Sequence, residues 1–160
     1  AKVTVLMGEG VDPHAYRQTR SDVVAMTRAD VVFWHGLNLE AQLADFLSDL
    51  SKRKPVAALG ERIDRAKLLG DPDAPGKPDP HVWMDPRLWR AAVAAARDEL
   101  VKLRPEDKAA FEANAERHLA DLDRLALYAE RVLATVPEGS RVLVTAHDAF
   151  NYFGRAYAYE

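Results

Sequence analysis

The chain has 160 residues, enough for one domain with a real core or for two small lobes sharing a connecting helix. Hydrophobic residues make up 48% and charged ones 29%, with both signs interspersed, which excludes disordered and collagen-like classes. A net charge of −3 without a long Lys or Arg run excludes nucleic acid as a partner, and the lack of cysteine means that any metal must bind through nitrogen and oxygen.

No apolar stretch approaches the ~20 residues needed to span a bilayer, and the first residues lack the charged-then-apolar order of a signal peptide, so any export signal is expected to be gone already. Lys2 to Met7 alternates β-branched and apolar residues and stops at Gly8-Glu9-Gly10, which predicts a buried strand followed by a turn and then a loop carrying His14. Thr19 and Asp22 are spaced as a capping box for a short helix ending near Asp30, and Val31 to Trp34 is the next strand. Asn38 is the expected N-cap of a helix from Leu39 to Leu50, with Leu43, Phe46, Leu47 and Leu50 on one face. Pro55 to Leu59 reads as a third strand, and the acid-, Pro- and Gly-rich stretch from Gly70 to Pro80 as a surface loop delivering His81.

Asp85-Pro86 is a strong helix start, since Asp accepts from free amides and Pro sits where no amide is required; that helix runs to about Leu103. Arg104-Pro105-Glu106-Asp107 restarts the pattern. A long amphipathic helix follows, marked by Phe111, Ala115, Leu119, Leu122, Leu125, Ala129, Val132 and Val136 and stopped by Pro137 and Gly139. Its length suits a spine between lobes, or a coiled-coil seam. Arg141 to Thr145 is a fourth strand, and His147-Asp148 lies where it hands over to a helix from Ala149 to Tyr159. The fold class is therefore α/β: a parallel-sheet lobe with flanking helices over 1–103, a connecting helix over 104–137, and the first βα unit of an incomplete second lobe over 138–160.

Ligands of open parallel sheets collect beyond the carboxyl ends of the strands, where His14, His81 and His147 fall in this reading. Asp12-Pro13-His14 and Asp79-Pro80-His81 repeat one tripeptide, each followed two residues later by an aromatic, Tyr16 or Trp83. Proline stiffens the loop, and the preceding carboxylate can accept from a ring N–H or a backbone amide, as carboxylates behind metal-binding imidazoles do. The alternative is that the Asp-Pro pairs only start turns and helices, leaving half-buried surface histidines. His118, inside the long helix, has a solvent-facing or packing role as its default; His35, at a strand end, is either hydrogen-bonded packing or an auxiliary contact to the site. The aromatics Phe150, Tyr152, Phe153, Tyr157 and Tyr159 read as core or lobe contact.

At these residues the chain resembles the metal-specific solute-binding proteins of ABC transporters, the cluster A-I group. The resemblance runs through Gly10 to Tyr16, Ala29 to Glu40, Asp79 to Pro86, Asn114-Ala115 and Ala146 to Phe153. It implies two α/β lobes joined by a long helix, a monomer outside the cytoplasm or in the periplasm, and a metal held by four side chains, with His14, His81 and His147 matching the first three. The fourth, an Asp or Glu of the second lobe, has no counterpart, and the family's first strand and helix have none before Lys2, so the chain is expected to be a piece of a longer protein. Histidine at the third position, where manganese-type relatives often carry Glu, favours Zn2+ over Mn2+. The implied partners are a membrane permease and a periplasmic metallochaperone, and the implied role is carriage rather than catalysis. Two rivals remain: a zinc hydrolase with a three-histidine site and Asp148 as base, and an adhesin in which metal staples the lobes.

Overall fold

The computed structural model describes residues 2–160. Local signals set the first elements. Thr19 accepts from the Asp22 amide while the Asp22 carboxylate accepts from the Thr19 amide, a complete capping box that starts helix α1 (Arg20–Arg28). Strand β1 (Val32–Trp34) follows, then a 3₁₀ turn (Ala41–Leu43), helix α2 (Ala44–Ser51) and strand β2 (Val56–Ala58). The two strands are parallel, in the register Val32 to Val56 and Trp34 to Ala58, so β1–α2–β2 is one crossover unit. Met26, Val32, Leu43, Leu47 and Leu50 form the core between this pair and its helices.

The turn after β1 departs from the expected N-cap. Gly36, Leu37 and Asn38 all have positive φ, 80°, 51° and 68°, and Asn38 caps nothing; α2 begins six residues later. Two carboxylates hold this left-handed turn: Glu40 accepts from the amides of His35 (2.8 Å) and Gly36 (3.1 Å), and Glu61 accepts from Leu37 (3.0 Å). A side chain at Gly36 would put its Cβ 2.9 Å from that of Ala58. The turn therefore uses a left-handed geometry that is open to glycine at Gly36 and is held at Leu37 by the Glu61 contact.

Asp85 caps α3 (Pro86–Leu103) by accepting from the Arg87 amide, with Pro86 in the first turn as the sequence predicts. A 3₁₀ turn (Pro105–Asp107) leads into α4 (Lys108–Leu133), whose 26 residues span about 39 Å at 1.5 Å each. The two helices pack against each other, and Ala92 and Ala95 of α3 and Ala115, Leu122 and Ala126 of α4 are buried. Arg87–Glu130 (2.7 Å) and Arg90–Asp123 (2.6 Å) link them at the surface, where such pairs add little. The last helix, α5 (Asn151–Tyr157), is shorter than expected and ends at Ala158 in the left-handed region.

The strands expected at Lys2–Met7 and Arg141–Thr145 are not formed. Both segments carry the β-branched residues of a strand, yet Val3, Val5, Val142 and Val144 are 81%, 77%, 66% and 92% exposed. A strand exists only through its ladder, and among the described residues the backbone of the later segment bonds to Glu138 in a local turn and to Glu160 at Leu143 and Arg141, with no neighbouring strand. The chain is thus mixed α/β with a two-stranded parallel sheet. A second buried cluster, Leu37, Ile63, Val82, Leu88 and Tyr152, ties the left-handed turn, the loop after β2, α3 and α5 together. His81 is the residue before Val82 of that cluster.

Candidate metal centre

Each Asp-Pro-His tripeptide builds the same local turn. The Asp12 carboxylate accepts from the His14 amide at 2.9 Å, and the Asp79 carboxylate accepts from the His81 amide at 2.9 Å. The second copy goes further, because Asp79 is 1% exposed and its Oδ1 also lies 2.7 Å from His81 Nδ1. An ionised carboxylate only accepts, so this contact places the ring proton on Nδ1 and leaves the Nε2 lone pair of His81 free. Burial pushes the Asp79 carboxyl upward, but hydrogen bonds from the His81 ring and amide and from Asn151 outweigh it, and its pKa is lowered overall.

The free Nε2 of His81 meets two others. His14 Nε2 and His147 Nε2 each lie 3.1 Å from it, and ring centroids stand 5.0–5.4 Å apart. All three donor atoms fall within 4.8 Å of one another. Two Zn–N bonds of about 2.05 Å at a tetrahedral angle would separate their nitrogens by about 3.3 Å, so the spacing fits a single small ion. Burial, then the neighbouring His81, holds the pKa of His14 below its usual 6.5, with Asp12 opposing, so the neutral form that a metal requires is favoured. The histidines differ in depth: His81 is buried, His14 half-buried and His147 exposed.

Among the described residues no carboxylate joins this group of three. His14 reaches it from a loop that Tyr16 pins to α1, its hydroxyl donating to Asp22 at 2.6 Å. His147 sits on a segment without regular structure, so neither His14 nor His147 follows a strand as the sequence reading supposed. His118 and His35 stay outside the cluster. His35 packs edge-on to Trp83 (5.2 Å) and face to face with Trp89 (5.8 Å), while Trp83 lies edge-on to His81 (5.3 Å). His35 therefore packs against the aromatics beside the three-histidine cluster.

The family described as ZnuA, zinc-uptake complex component A, periplasmic, matches residues 1–160. The chain belongs to this family. Among relatives of the ZnuA family, the manganese-binding lipoprotein MntA of Bacillus subtilis (strain 168) is 43% identical over 160 residues, covering 99% of this chain and 52% of that protein. The zinc-binding protein TroA of Treponema pallidum (strain Nichols) is 41% identical over 155 residues, covering 97% and 50%. The solved structure of periplasmic zinc-binding TroA from Treponema pallidum superposes with a TM-score of 0.93 at 40% identity, covering 97% of this chain and 55% of that one. Fe(III)-bound YtgA from Chlamydia trachomatis superposes with a TM-score of 0.86 at 36% identity, covering 98% and 55%. The chain spans about half the length of the curated relatives it matches. Zinc, manganese and iron all occur in these names, so family membership points to a metal without selecting one.

Two residues that sequence reasoning missed complete this member of the ZnuA family. The Tyr152 hydroxyl, completely buried, donates to the Asp79 carbonyl (2.8 Å) and accepts from the Leu69 amide (3.0 Å), fixing the loop beneath His81. Asn151 lies between Asp79 and Asp148. Tyr152 stood in the sequence both among the aromatics of α5, which signalled packing, and in the resemblance over Ala146 to Phe153, which assigned it no role.

Proposed function

We propose that this chain is the metal-holding part of an extracytoplasmic solute-binding protein that carries a divalent transition metal, zinc ahead of manganese, to an ABC importer in the membrane. The observation that carries the reading is the meeting of His14, His81 and His147 at Nε2, 3.1 Å from the His81 nitrogen in both cases. Three imidazoles suit a borderline-soft ion better than manganese, which prefers oxygen. A fourth donor, a carboxylate of the second lobe, would close a tetrahedral site, and a closed site carries rather than reacts. In the same reading 1–103 is the first lobe, 104–137 the connecting helix and 138–160 the beginning of the second lobe. Asp148, the base a hydrolase would need, is bonded to the Asn151 amide at 3.0 Å, which supports positioning over catalysis. The relatives' names carry no metallochaperone, and none is proposed.

Competition with a chromophoric chelator at pH 7.5 tests this in the full chain and in His14→Ala, His81→Ala and His147→Ala. Zinc should bind more tightly than manganese, and each substitution should cost more than the roughly 10–100-fold typical of groups behind the ligands. Equal affinity for the two metals would remove the zinc assignment, and binding indifferent to the substitutions would remove the site.

A further inference from the structure

His147 has little to hold it. Its segment has no helix or strand, its side chain is exposed, and its carbonyl is engaged only locally, by the Ala149 amide (2.9 Å) and the Thr145 hydroxyl (2.8 Å). The His81 side is the opposite, with the ring, Asp79 and Tyr152 buried and mutually bonded. One side chain joins the two. Asn151 Nδ2 lies 3.1 Å from Asp79 Oδ2 and 3.0 Å from Asp148 Oδ1. Carboxylates accept only, so both contacts require the amide nitrogen, which has one hydrogen for each.

We propose that Asn151 is a positioning residue that ties the His147 loop to the Asp79–His81 pair and so sets how long the site keeps its metal. The proposal rests on the three-histidine reading. Asp79 uses one oxygen to orient the His81 ring and the other to receive Asn151, so a pull on the His147 loop passes through Asp148 and Asn151 to the group that orients His81. The neutral amide also keeps two carboxylates side by side that would otherwise repel. Without it, Asp79 Oδ2 loses a donor at a buried position, where unmade hydrogen bonds are costly. Metal dissociation should then begin more often at His147.

The test measures zinc affinity and release into excess chelator, with the visible spectrum of bound Co2+ as a report on ligand geometry. It uses the full chain, Asn151→Ala, Asn151→Asp, Asp148→Ala and the Asn151→Ala/Asp148→Ala pair. Asn151→Ala should release zinc about tenfold faster and shift the cobalt bands, as changes behind metal ligands do. Asn151→Asp, which sets a third carboxylate against two, should be worse than Ala. The double variant should lose no more than the worse single one, because both act through one link. Release rates unchanged in Asn151→Ala, losses that add in the double variant, or an Asp variant milder than Ala would each overturn the proposal while zinc binding by the parent chain stands. Absence of zinc binding in the parent chain would instead remove the three-histidine reading, and this inference with it.

Discussion

His35 shows how a single side chain can link the aromatic packing to pH. It is buried between Trp83 and Trp89, and its Nε2 has no hydrogen-bond partner among the described residues. Burial lowers its pKa from 6.5 to about 4, the nearby His81 adding to the effect and the Pro80 carbonyl and Glu61 opposing it. The unfolded chain therefore takes up this proton first. Stability unaffected above about pH 6.5 should fall as pH drops from there to about 4, by about 3 kcal/mol in total from this residue. Urea melts across that window should show the slope in the parent chain and a shallower one in His35→Gln; equal slopes would assign the loss to other groups. His14 and His81 were legible because a repeated Asp-Pro-His turn is local and its carboxylate acts within two residues, whereas His147 was reached through a strand end that is not formed. Asn151 was not legible, since the partner that gives it meaning is 72 residues away.

At the scale of elements, the left-handed turn after β1 is the most demanding feature. Gly36 combines a φ of 80° with a Cβ position already occupied by Ala58 and Glu61. Gly36→Ala should destabilise the fold by at least about 1–2 kcal/mol from backbone conformation alone, more if β2 must shift, read as a lower denaturation midpoint at unchanged slope. A midpoint matching the parent would mean the turn relaxes freely. Elements specified by their own ends were read well from sequence: the Thr19/Asp22 box, Asp85-Pro86 and the stop of α3 at Leu103. Strand formation depends on a neighbour, which is why Val3 and Val144 carry strand chemistry without a strand. Asn38 misled because a good N-cap residue is also a good left-handed residue, and the two uses differ only in what Glu40 and Glu61 bind.

At the scale of the whole molecule, the three imidazoles come from widely separated parts of the chain. His14 is 67 residues from His81, and His147 is 66 residues beyond it. An ion bound to all three would stabilise the folded form by mass action, about 4 kcal/mol at a thousandfold excess over the dissociation constant. Thermal melts with saturating zinc should move upward, and hydrogen exchange should slow in the loops around His14 and His147 more than in α3; a shift of neither would mean that zinc does not engage the folded site. The unequal depth of the donors gives this site a direction. In the proposed site, a hydrated ion arriving at this chain would meet His147 at the surface, His14 next and the anchored His81 last, exchanging waters for nitrogens one at a time. The last imidazole gained would then be the hardest to lose, and the outermost would be the handle by which an acceptor could begin to take a bound ion away.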